Sequence, residues 1–350
     1  MSGYASYIHF TQQVKQDLQE ALQTADYSAL FVLVDDHTRQ HCLPVIAAAL
    51  PAGYQLITIR PGEEHKNPDT CRHIWTALTE AQADRQALLL NLGGGVIGDM
   101  GGFCARTYKR GIAFWNIPTT LLAQVDASVG GKLGVDLAGY KNQIGIFSEP
   151  DRVIIDPVFF KTLPHDELLS GFAEMLKHGL IADADHYREL TGIDIKQADW
   201  LSLIPRSVKI KQDIVAKDPT ERGLRKLLNF GHTIGHAIES YLLLQQRPVK
   251  HGFAVAAGMV CETFLSYQKG LLPEADMLNI CDYLLAMFPP LAIDNSALAA
   301  IADLARQDKK NTSTTIQAVL LQAPGQAVID KAITAADIRQ ALAFYQEKIK

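Results

Sequence analysis

The stretch ALLLNLGGGVIGD, residues 87–99, decides the fold. Its first six residues are an almost uninterrupted apolar run of strand length, which predicts a buried β-strand. Three glycines, Gly93–Gly95, follow at once, and Gly98 completes a G-x-G-x-x-G pattern that opens a predicted helix. Glycines at such a turn let backbone N–H groups approach a pyrophosphate at a helix N-terminus. The stretch therefore predicts one strand–turn–helix unit of a parallel α/β sheet.

This glycine pattern differs from an ordinary dinucleotide fingerprint in two respects. No acidic residue lies between Asp99 and Asp126, where the partner of a ribose hydroxyl is usually found. The loop also follows the third predicted strand and not the first. Asp35, at the end of an earlier predicted strand, is the better candidate for the ribose hydroxyls. A purely structural tight turn is the alternative for the glycines.

Predicted strands and helices alternate in the first part of the chain. Strands are predicted at 29–34, 54–59, 87–92, 112–117 and 153–155, and helices at 12–24, 41–49 and 70–83. This alternation indicates a Rossmann-like parallel sheet covered by helices. Beyond it, helices are predicted at 166–181, 200–216, 224–244, 254–267 and 274–287, with one late strand at 315–321. We predict an α/β nucleotide-binding domain over residues 1–157 and a mainly α-helical domain over residues 158–350.

Composition excludes several classes of partner. The 350 residues are 48% hydrophobic and 20% charged, as in an ordinary globular protein long enough for two domains. A net charge of −5 gives no broad basic surface for nucleic acid. No apolar run approaches the length of a membrane span, and no basic segment precedes an apolar one at the N-terminus. Five cysteines without a C-x-x-C pair predict reduced thiols in a cytoplasmic protein.

A second stretch, RKLLNFGHTIGH at 225–236, predicts a binding face. Its polar residues are Arg225, Asn229, His232 and His236, at steps of four, three and four. On one continuous helix these side chains would lie within about 60° of one another. A guanidinium, an amide and two imidazoles suit a site that holds an anion and a metal ion. A solvated polar face is the alternative, because the pattern lacks the Glu that marks zinc peptidases.

Six blocks of the sequence resemble the 3-dehydroquinate synthases, a family of the sugar phosphate cyclase superfamily. The blocks are PTTLLAQVDASVGGKLGVD (118–136), GYKNQIG (139–145), FAEMLKHGLI (172–181), KQDIVAKDPTERGLRKLLNFGHTIGHAIE (211–239), HGFAVAAGM (251–259) and DKK (308–310). They occur in the family's order and extend over nearly the whole chain. The resemblance implies an NAD-binding α/β domain, a helical metal- and substrate-binding domain, and a homodimer.

The resemblance also implies the site residues. A divalent ion, Zn²⁺ or Co²⁺, would be held by Glu174, His232 and His251, which leaves coordination positions open for substrate oxygens. The implied NAD contacts are Asp35, Glu63, Lys66, Gly95, Val96, Ile97, Gly98, Asp99, Thr119, Thr120, Lys132, Lys141 and Thr162. The implied substrate and catalytic residues are Asp126, Lys132, Asn142, Lys177, Lys211, Arg225, Asn229, His236 and Lys310. Arg110 is implied to reach the neighbouring subunit's site.

The implied reaction converts 3-deoxy-D-arabino-heptulosonate 7-phosphate to 3-dehydroquinate and phosphate, in the shikimate pathway to aromatic amino acids. NAD would be used catalytically, since hydride leaves C5 and returns to it after β-elimination of phosphate. Cationic side chains suit this anionic sugar acid, because a planar guanidinium can bind phosphate or carboxylate at two points. The alternatives are another sugar phosphate cyclase, a metal-dependent polyol dehydrogenase and a non-catalytic binding paralogue. His236 argues against another sugar phosphate cyclase, and the Glu174–Lys177 pair argues against a polyol dehydrogenase. The complete set of implied ligands argues against a non-catalytic paralogue.

Three positions depart from the residues usual in the family. Phe253 stands where an acid usually follows His251-Gly252, Leu133 stands in place of a Thr, and Asp136 often corresponds to an Asn. The first change removes an acid beside an implied metal ligand, which could alter metal affinity or the orientation of that ligand. We favour the interpretation that Phe253 packs in the core.

Overall fold

The computed structural model describes residues 5–138, 140–306 and 315–349. Its strands are β1 Ile8–Phe10, β2 Leu30–Asp35, β3 Gln55–Ile59, β4 Leu88–Gly93, β5 Ala113–Pro118, β6 Lys132–Leu137, β7 Tyr140–Phe147, β8 Arg152–Ile155, β9 Ile316–Ala323 and β10 Gln326–Ile333. All strands predicted from the sequence are present, within a few residues of their predicted ends.

The helices begin with α1 Val14–Thr24, α2 Asp36–His41, α3 Leu43–Ile46, α4 Pro68–Glu80 and α5 Gly95–Thr107. They continue with α6 His165–Ala182, α7 Ala184–Thr191, α8 Trp200–Lys217, α9 His232–Leu244, α10 His251–Gln268, α11 Glu274–Met287, α12 Ala297–Arg306 and α13 Ala335–Lys348. Among the described residues, no helix combines the length and the apolar character needed to cross a membrane.

The chain forms two compact units that are not continuous in sequence. The first contains the described residues up to Leu168 together with Asp199–Gln212. The second contains Leu169–Ala198 together with the described residues from Asp213 onward. The division into functional domains after residue 157 stays a prediction.

A six-stranded sheet of order β1-β8-β5-β4-β2-β3 forms the centre of the first unit. Every pairing in it is parallel. Phe31 and Leu33 of β2 pack into a core cluster with α4 and α5, whereas Val32 and Val34 pack into a second cluster with α1 and α3. Successive side chains of a strand point to opposite faces, so helices cover both faces of this sheet.

The order of strands reverses between β2 and β4, one strand in from the edge strand β3. The neighbours of β2 are β3 on one side and β4 on the other. At such a switch point, the loops that leave the carboxyl ends of two adjacent strands diverge and form the usual ligand crevice of an α/β sheet. Asp35 ends β2 and Gly93 ends β4. The sheet thus brings the predicted ribose partner and the glycine loop to the two strand ends at the switch point.

The expected single helix over residues 224–244 is wrong. Leu224–Asn229 is a 3₁₀ helix, and α9 begins only at His232. Gly231 interrupts the two with a φ of 78°, a left-handed conformation that favours glycine. Arg225 and Asn229 therefore do not share a helical face with the two histidines.

The prediction of only one late strand is also wrong. β9 pairs with β10 in an antiparallel ladder, and α12 and α13 are further elements that the pattern did not indicate. The burial of β10 is intermediate or low along most of its length. A strand of this kind lacks the apolar run or strict alternation from which strands are predicted.

Candidate nucleotide and metal sites

The glycine loop leads from β4 into α5 at the carboxyl edge of the sheet. Gly94 is the N-cap of α5 and has no side chain with which to cap the first turn. The first N–H groups of an α-helix have no acceptor within the helix. At a switch point they are well placed to bind an anion such as a pyrophosphate. The turn is also tight, since a Cβ on Gly93 would lie 2.5 Å from Cγ1 of Ile97.

Asp35 has one carboxylate oxygen engaged at the start of α2. Its Oδ1 accepts a hydrogen bond from the backbone N–H of Thr38 at 2.7 Å, and the Thr38 hydroxyl accepts one from the Asp35 N–H at 2.9 Å. This capping box fixes the orientation of the carboxylate. The second oxygen is outside the capping box, and a ribose hydroxyl could donate to it.

Lys66 is the buried centre of a polar network in the first unit. Its Nζ donates to Asp99 Oδ2 at 2.6 Å and to Asn142 Oδ1 at 2.8 Å. Burial would lower the pKa of Lys66, but the carboxylates of Asp99 and Glu63 raise it. Burial raises the pKa of Asp99, although the positive charge of Lys66 acts to lower it. Asp136 Oδ1 accepts from the Asn142 N–H at 2.6 Å, so the acid at this position orients Asn142.

Asp126 and Lys211 form a second pair in the first unit. The Lys211 Nζ lies 2.7 Å from Asp126 Oδ1, and the Lys211 side chain is 7% exposed. Asp126 belongs to a π-helical turn, Ala123–Ala127, a feature that often occurs at functional sites. The structure therefore brings together two residues that the sequence places 85 positions apart.

The remaining implied residues of this unit have varied surroundings. The Thr119 N–H donates to the Gly93 carbonyl at 3.0 Å, beside the glycine loop. Thr120 Oγ1 accepts from the Ala123 N–H at 3.1 Å, and the Lys141 Nζ lies 4.0 Å from Glu63. Lys132 is exposed on β6, and Thr162 donates to the Phe159 carbonyl at 3.4 Å. Lys310 lies outside the described residues.

Three side chains meet in the second unit in the manner of a metal site. Glu174 Oε1 lies 3.6 Å from His232 Nε2 and 3.6 Å from His251 Nε2. Two ligand atoms of one tetrahedral ion lie about 3.3–3.6 Å apart, because each is about 2.0–2.2 Å from the ion. Within the described part of the chain, Glu174 Oε1 is buried and accepts no hydrogen bond of good geometry. A buried oxygen of this kind calls for another partner, and a divalent ion fits.

The second ring nitrogen of each histidine is held by an acceptor. His232 Nδ1 lies 3.0 Å from the Phe230 carbonyl, and His251 Nδ1 lies 3.4 Å from Glu239 Oε2. Metal-binding histidines commonly donate this nitrogen to a carbonyl or carboxylate, which leaves Nε2 for the ion. The sequence analysis missed Glu239. Its position seven residues after His232, on the same face of α9, is the signal that could have indicated it.

The charged groups of this cluster shift one another's pKa values. Burial would raise the pKa of Glu174, but Lys177, whose Nζ contacts Oε2, and the imidazoles hold it well below its usual value. Burial lowers the pKa of His232, and Lys177 acts in the same direction. Burial would also lower the pKa of His251, yet Glu174 and Glu239 raise it to about 10. A proton on His251 thus compensates the buried carboxylates, and a divalent ion would replace that proton.

The remaining predicted site residues of the second unit are His236, Arg225 and Asn229. The His236 ring centroid lies 4.9 Å from that of His232 and 5.6 Å from that of His251, so this exposed imidazole is a further candidate ligand. Arg225 is buried, and its Nη1 donates to the Pro219 carbonyl at 2.7 Å. Asn229 Nδ2 donates to Glu221 Oε1 at 2.8 Å. The sequence analysis did not single out Glu221, although it lies in a matched block.

Two of the departures from the family pattern pack in hydrophobic cores. Phe253 is 7% exposed, and its ring centroid lies 6.2 Å from that of Phe288. Leu133 is 6% exposed and belongs to a core cluster with Phe114. Both side chains therefore serve packing, as we favoured for Phe253.

Together these sites define a class of enzyme, in which an α/β unit with a candidate dinucleotide site accompanies a helical unit with a candidate carboxylate–imidazole metal site. Residues 56–170 match the family model for the N-terminal part of 3-dehydroquinate synthase, and residues 171–311 match that for the C-terminal part. A 3-dehydroquinate synthase of Parabacteroides distasonis is 42% identical over 339 residues, covering 95% of this chain and 96% of the relative. The chain belongs to the 3-dehydroquinate synthase family, whose activity is that of a phosphate-eliminating cyclase.

Solved structures of two other cyclases share the fold. The 2-epi-5-epi-valiolone synthase ValA of Streptomyces hygroscopicus, with NAD⁺ and Zn²⁺ bound, has a TM-score of 0.85 and 27% identity, covering 99% of this chain and 98% of its own. A 2-deoxy-scyllo-inosose synthase complexed with carbaglucose-6-phosphate, NAD⁺ and Co²⁺ has a TM-score of 0.80 and 23% identity, covering 96% and 95%. The predicted fold class is confirmed.

Replacing Phe253 by Glu should destabilise the protein without tightening metal binding. The new carboxylate would be buried against Phe288 without a partner, at a cost of about 3–5 kcal/mol. Denaturant unfolding of metal-free protein measures this loss, and chelator competition measures metal affinity. Phe253→Leu, the control, keeps an apolar side chain and should cost about 1 kcal/mol. Tighter metal binding with unchanged stability in Phe253→Glu would contradict the packing interpretation.

Proposed function

We propose that this chain converts 3-deoxy-D-arabino-heptulosonate 7-phosphate to 3-dehydroquinate and phosphate, as a step of the shikimate pathway. The observation that carries the proposal is the buried Glu174 carboxylate, which faces two imidazole Nε2 atoms and contacts the Lys177 ammonium. A relative of the same activity, 42% identical over nearly the whole chain, supports it. Five free, buried thiols support a cytoplasmic location, where thiols stay reduced.

NAD and a divalent ion, Zn²⁺ or Co²⁺, are the cofactors in this proposal. Glu174, His232 and His251 would hold the ion, and the glycine loop with Asp35 would hold NAD. When bound, NAD would supply reversible hydride transfer at C5, and the ion would supply Lewis-acid polarisation of substrate oxygens. ValA, which has both NAD⁺ and Zn²⁺ bound, supports this assignment.

The substrate's phosphate and carboxylate need cationic and amide donors that are already in place. The buried Arg225 guanidinium can offer two parallel N–H groups to one anion, and its contact with the Pro219 carbonyl restrains it. Glu221 restrains Asn229 in the same way, and Lys66 restrains Asn142. Donors held before binding lose little freedom when the anion arrives, which favours both binding and catalysis.

Lys177 and His236 differ in exposure, and this suggests different roles. Lys177 is 1% exposed, and its Nζ contacts the Glu174 carboxylate, which holds this cationic side chain where it can also face an anionic group. His236 is exposed beside the two ligand histidines. An exposed imidazole can act as a general acid or base, so His236 is suited to move a proton to or from the bound sugar acid.

The fate of the hydride tests this reaction against that of a polyol dehydrogenase. With the phosphate substrate and catalytic NAD, phosphate should be released without accumulation of NADH absorbance. A phosphonate analogue, whose C–P bond does not break by elimination, should stall the cycle and yield bound NADH up to one equivalent of enzyme sites at most. Lys177→Ala serves as the inactive control. Continuous NADH production with either compound would favour the dehydrogenase and defeat the proposal.

The metal site makes a separate prediction. Elemental analysis of the purified chain should find about one divalent ion per chain, as the three-ligand catalytic pattern requires. His232→Ala should lose the ion, because one of three protein ligands is gone. His73→Ala, which changes a histidine on α4 of the first unit, should retain it. Full occupancy in His232→Ala would remove His232 from the ligand set.

We further propose a homodimer in which Arg110 acts across the interface. Lys109 and Arg110 both have positive φ, 48° and 67°, at the turn that follows α5. Two successive non-glycine residues in this region are strained, and such strain persists where it serves a function. The turn leaves Arg110 exposed, while the Lys109 Nζ is fixed to the Ala83 carbonyl at 2.6 Å. An exposed cation on a constrained turn suits a contact with a second subunit.

Complementation tests this arrangement. Arg110→Ala and Lys177→Ala should each be inactive, yet a mixture should regain part of the activity. If Arg110 acts in trans, a heterodimer has one site with both defects and one site with neither. The matched control mixes Lys177→Ala with Lys211→Ala, two residues proposed to act in their own chain. Each site of that heterodimer carries one defect, so the mixture should regain no activity. Absence of recovery with Arg110→Ala, with subunit exchange confirmed, would place Arg110 in its own chain's site.

A further inference from the structure

Glu262 is a buried carboxyl group in α10 to which the proposed reaction assigns no role. The residue is 0% exposed. Its Oε2 accepts a hydrogen bond from the Gly231 N–H at 2.7 Å, and its Oε1 accepts one from the Ile234 N–H at 3.1 Å. Burial raises the pKa of Glu262 to about 8, although these backbone donors act in the opposite direction. Burying a carboxyl group is unfavourable, so these backbone contacts must offset a real cost.

The start of α9 needs an acceptor from another element. Helices usually begin with Ser, Thr, Asp or Asn, whose side chain accepts from the first N–H groups. Here the N-cap is Gly231, in a left-handed conformation, and a Cβ on it would lie 2.5 Å from Cγ of Met259 and 2.9 Å from the Val255 carbonyl. No ordinary capping residue fits there. Glu262 instead caps the first turn of α9 with both of its carboxylate oxygens.

The same contact joins the two helices that carry the candidate ligands. A Cβ on Gly258 would overlap the Gly231 carbonyl oxygen, and one on Gly235 would lie 2.8 Å from the Ala254 carbonyl, so α9 and α10 approach backbone to backbone. His232 is the first residue of α9, and His251 is the first residue of α10. Where α9 begins relative to α10 therefore sets the separation of the two imidazoles.

We propose that Glu262 is a positioning residue: by clamping the first turn of α9 to α10, it holds His232 Nε2 at the distance from Glu174 and His251 that one divalent ion requires. This inference rests on the metal site proposed above. Two acids support the two histidines: Glu239 faces His251, and Glu262 fixes the turn that carries His232.

The test compares Co²⁺ binding by metal-free wild-type protein, Glu262→Gln and Thr263→Val. A glutamine keeps one acceptor oxygen and turns an NH₂ group toward a backbone N–H, so half of the clamp is lost. Chelator competition should show Co²⁺ affinity 10- to 100-fold weaker, as is usual when support of a ligand is removed. The Co²⁺ absorption spectrum should change, and the Gly231 and Ile234 amides should exchange faster. Thr263→Val, a control at the adjacent buried position of α10, should bind Co²⁺ as the wild type does.

A purely structural role gives a different result. Metal-free Glu262→Gln would melt at a lower temperature, while its folded molecules would bind Co²⁺ with wild-type affinity and spectrum, and this outcome overturns the inference. If Glu262→Gln does not fold, Glu262→Asp keeps both acceptor oxygens but withdraws them by one methylene. An intermediate loss of affinity is then expected, and wild-type affinity overturns the inference. A wild-type chain that binds no Co²⁺ would refute the proposed metal site itself.

Discussion

The second unit is organised around one electrostatic constraint, the burial of the Glu174 carboxylate. Removing a carboxylate from water costs several kcal/mol unless charges and hydrogen bonds compensate it. Lys177 does so from the next turn of α6, and the two imidazoles do so from the first residues of α9 and α10. The unit therefore carries a preformed arrangement of charge in which one carboxylate oxygen lies 3.6 Å from each of two imidazole Nε2 atoms.

The first unit solves a different problem, that of holding polar groups at the edge of a sheet. Its parallel strands are buried on both faces, so most of the sheet is apolar. Lys66, Asp99 and Asn142 restrain one another, and the π-helical turn brings Asp126 to Lys211. These side chains are oriented by their hydrogen-bond partners and not by the backbone alone.

Much of the fold and of the candidate site could be predicted from the sequence. The central parallel strands are continuous apolar runs, and the glycine loop is marked by its closely spaced glycines, so both could be predicted. Glu174, His232 and His251 came from resemblance, since nothing local relates three residues on three helices. The break at Gly231 was missed because steps of four, three and four also describe one continuous helix. Glu239 and Glu262 act through tertiary contacts, and the partly exposed β10 has no periodicity to detect.

The burial of Phe253 affects which sequence motif can detect the candidate metal site. Glu239 already accepts a hydrogen bond from His251 Nδ1, so no acid is needed at position 253 to orient that imidazole. Phe253 instead packs in the core beside Phe288. The side chain at position 253 is therefore constrained by its volume and not by its charge. A sequence motif that requires an acid after His-Gly would miss this chain, whereas one that requires a Glu seven residues after His232, the Glu that lies 3.4 Å from His251 Nδ1, would find it.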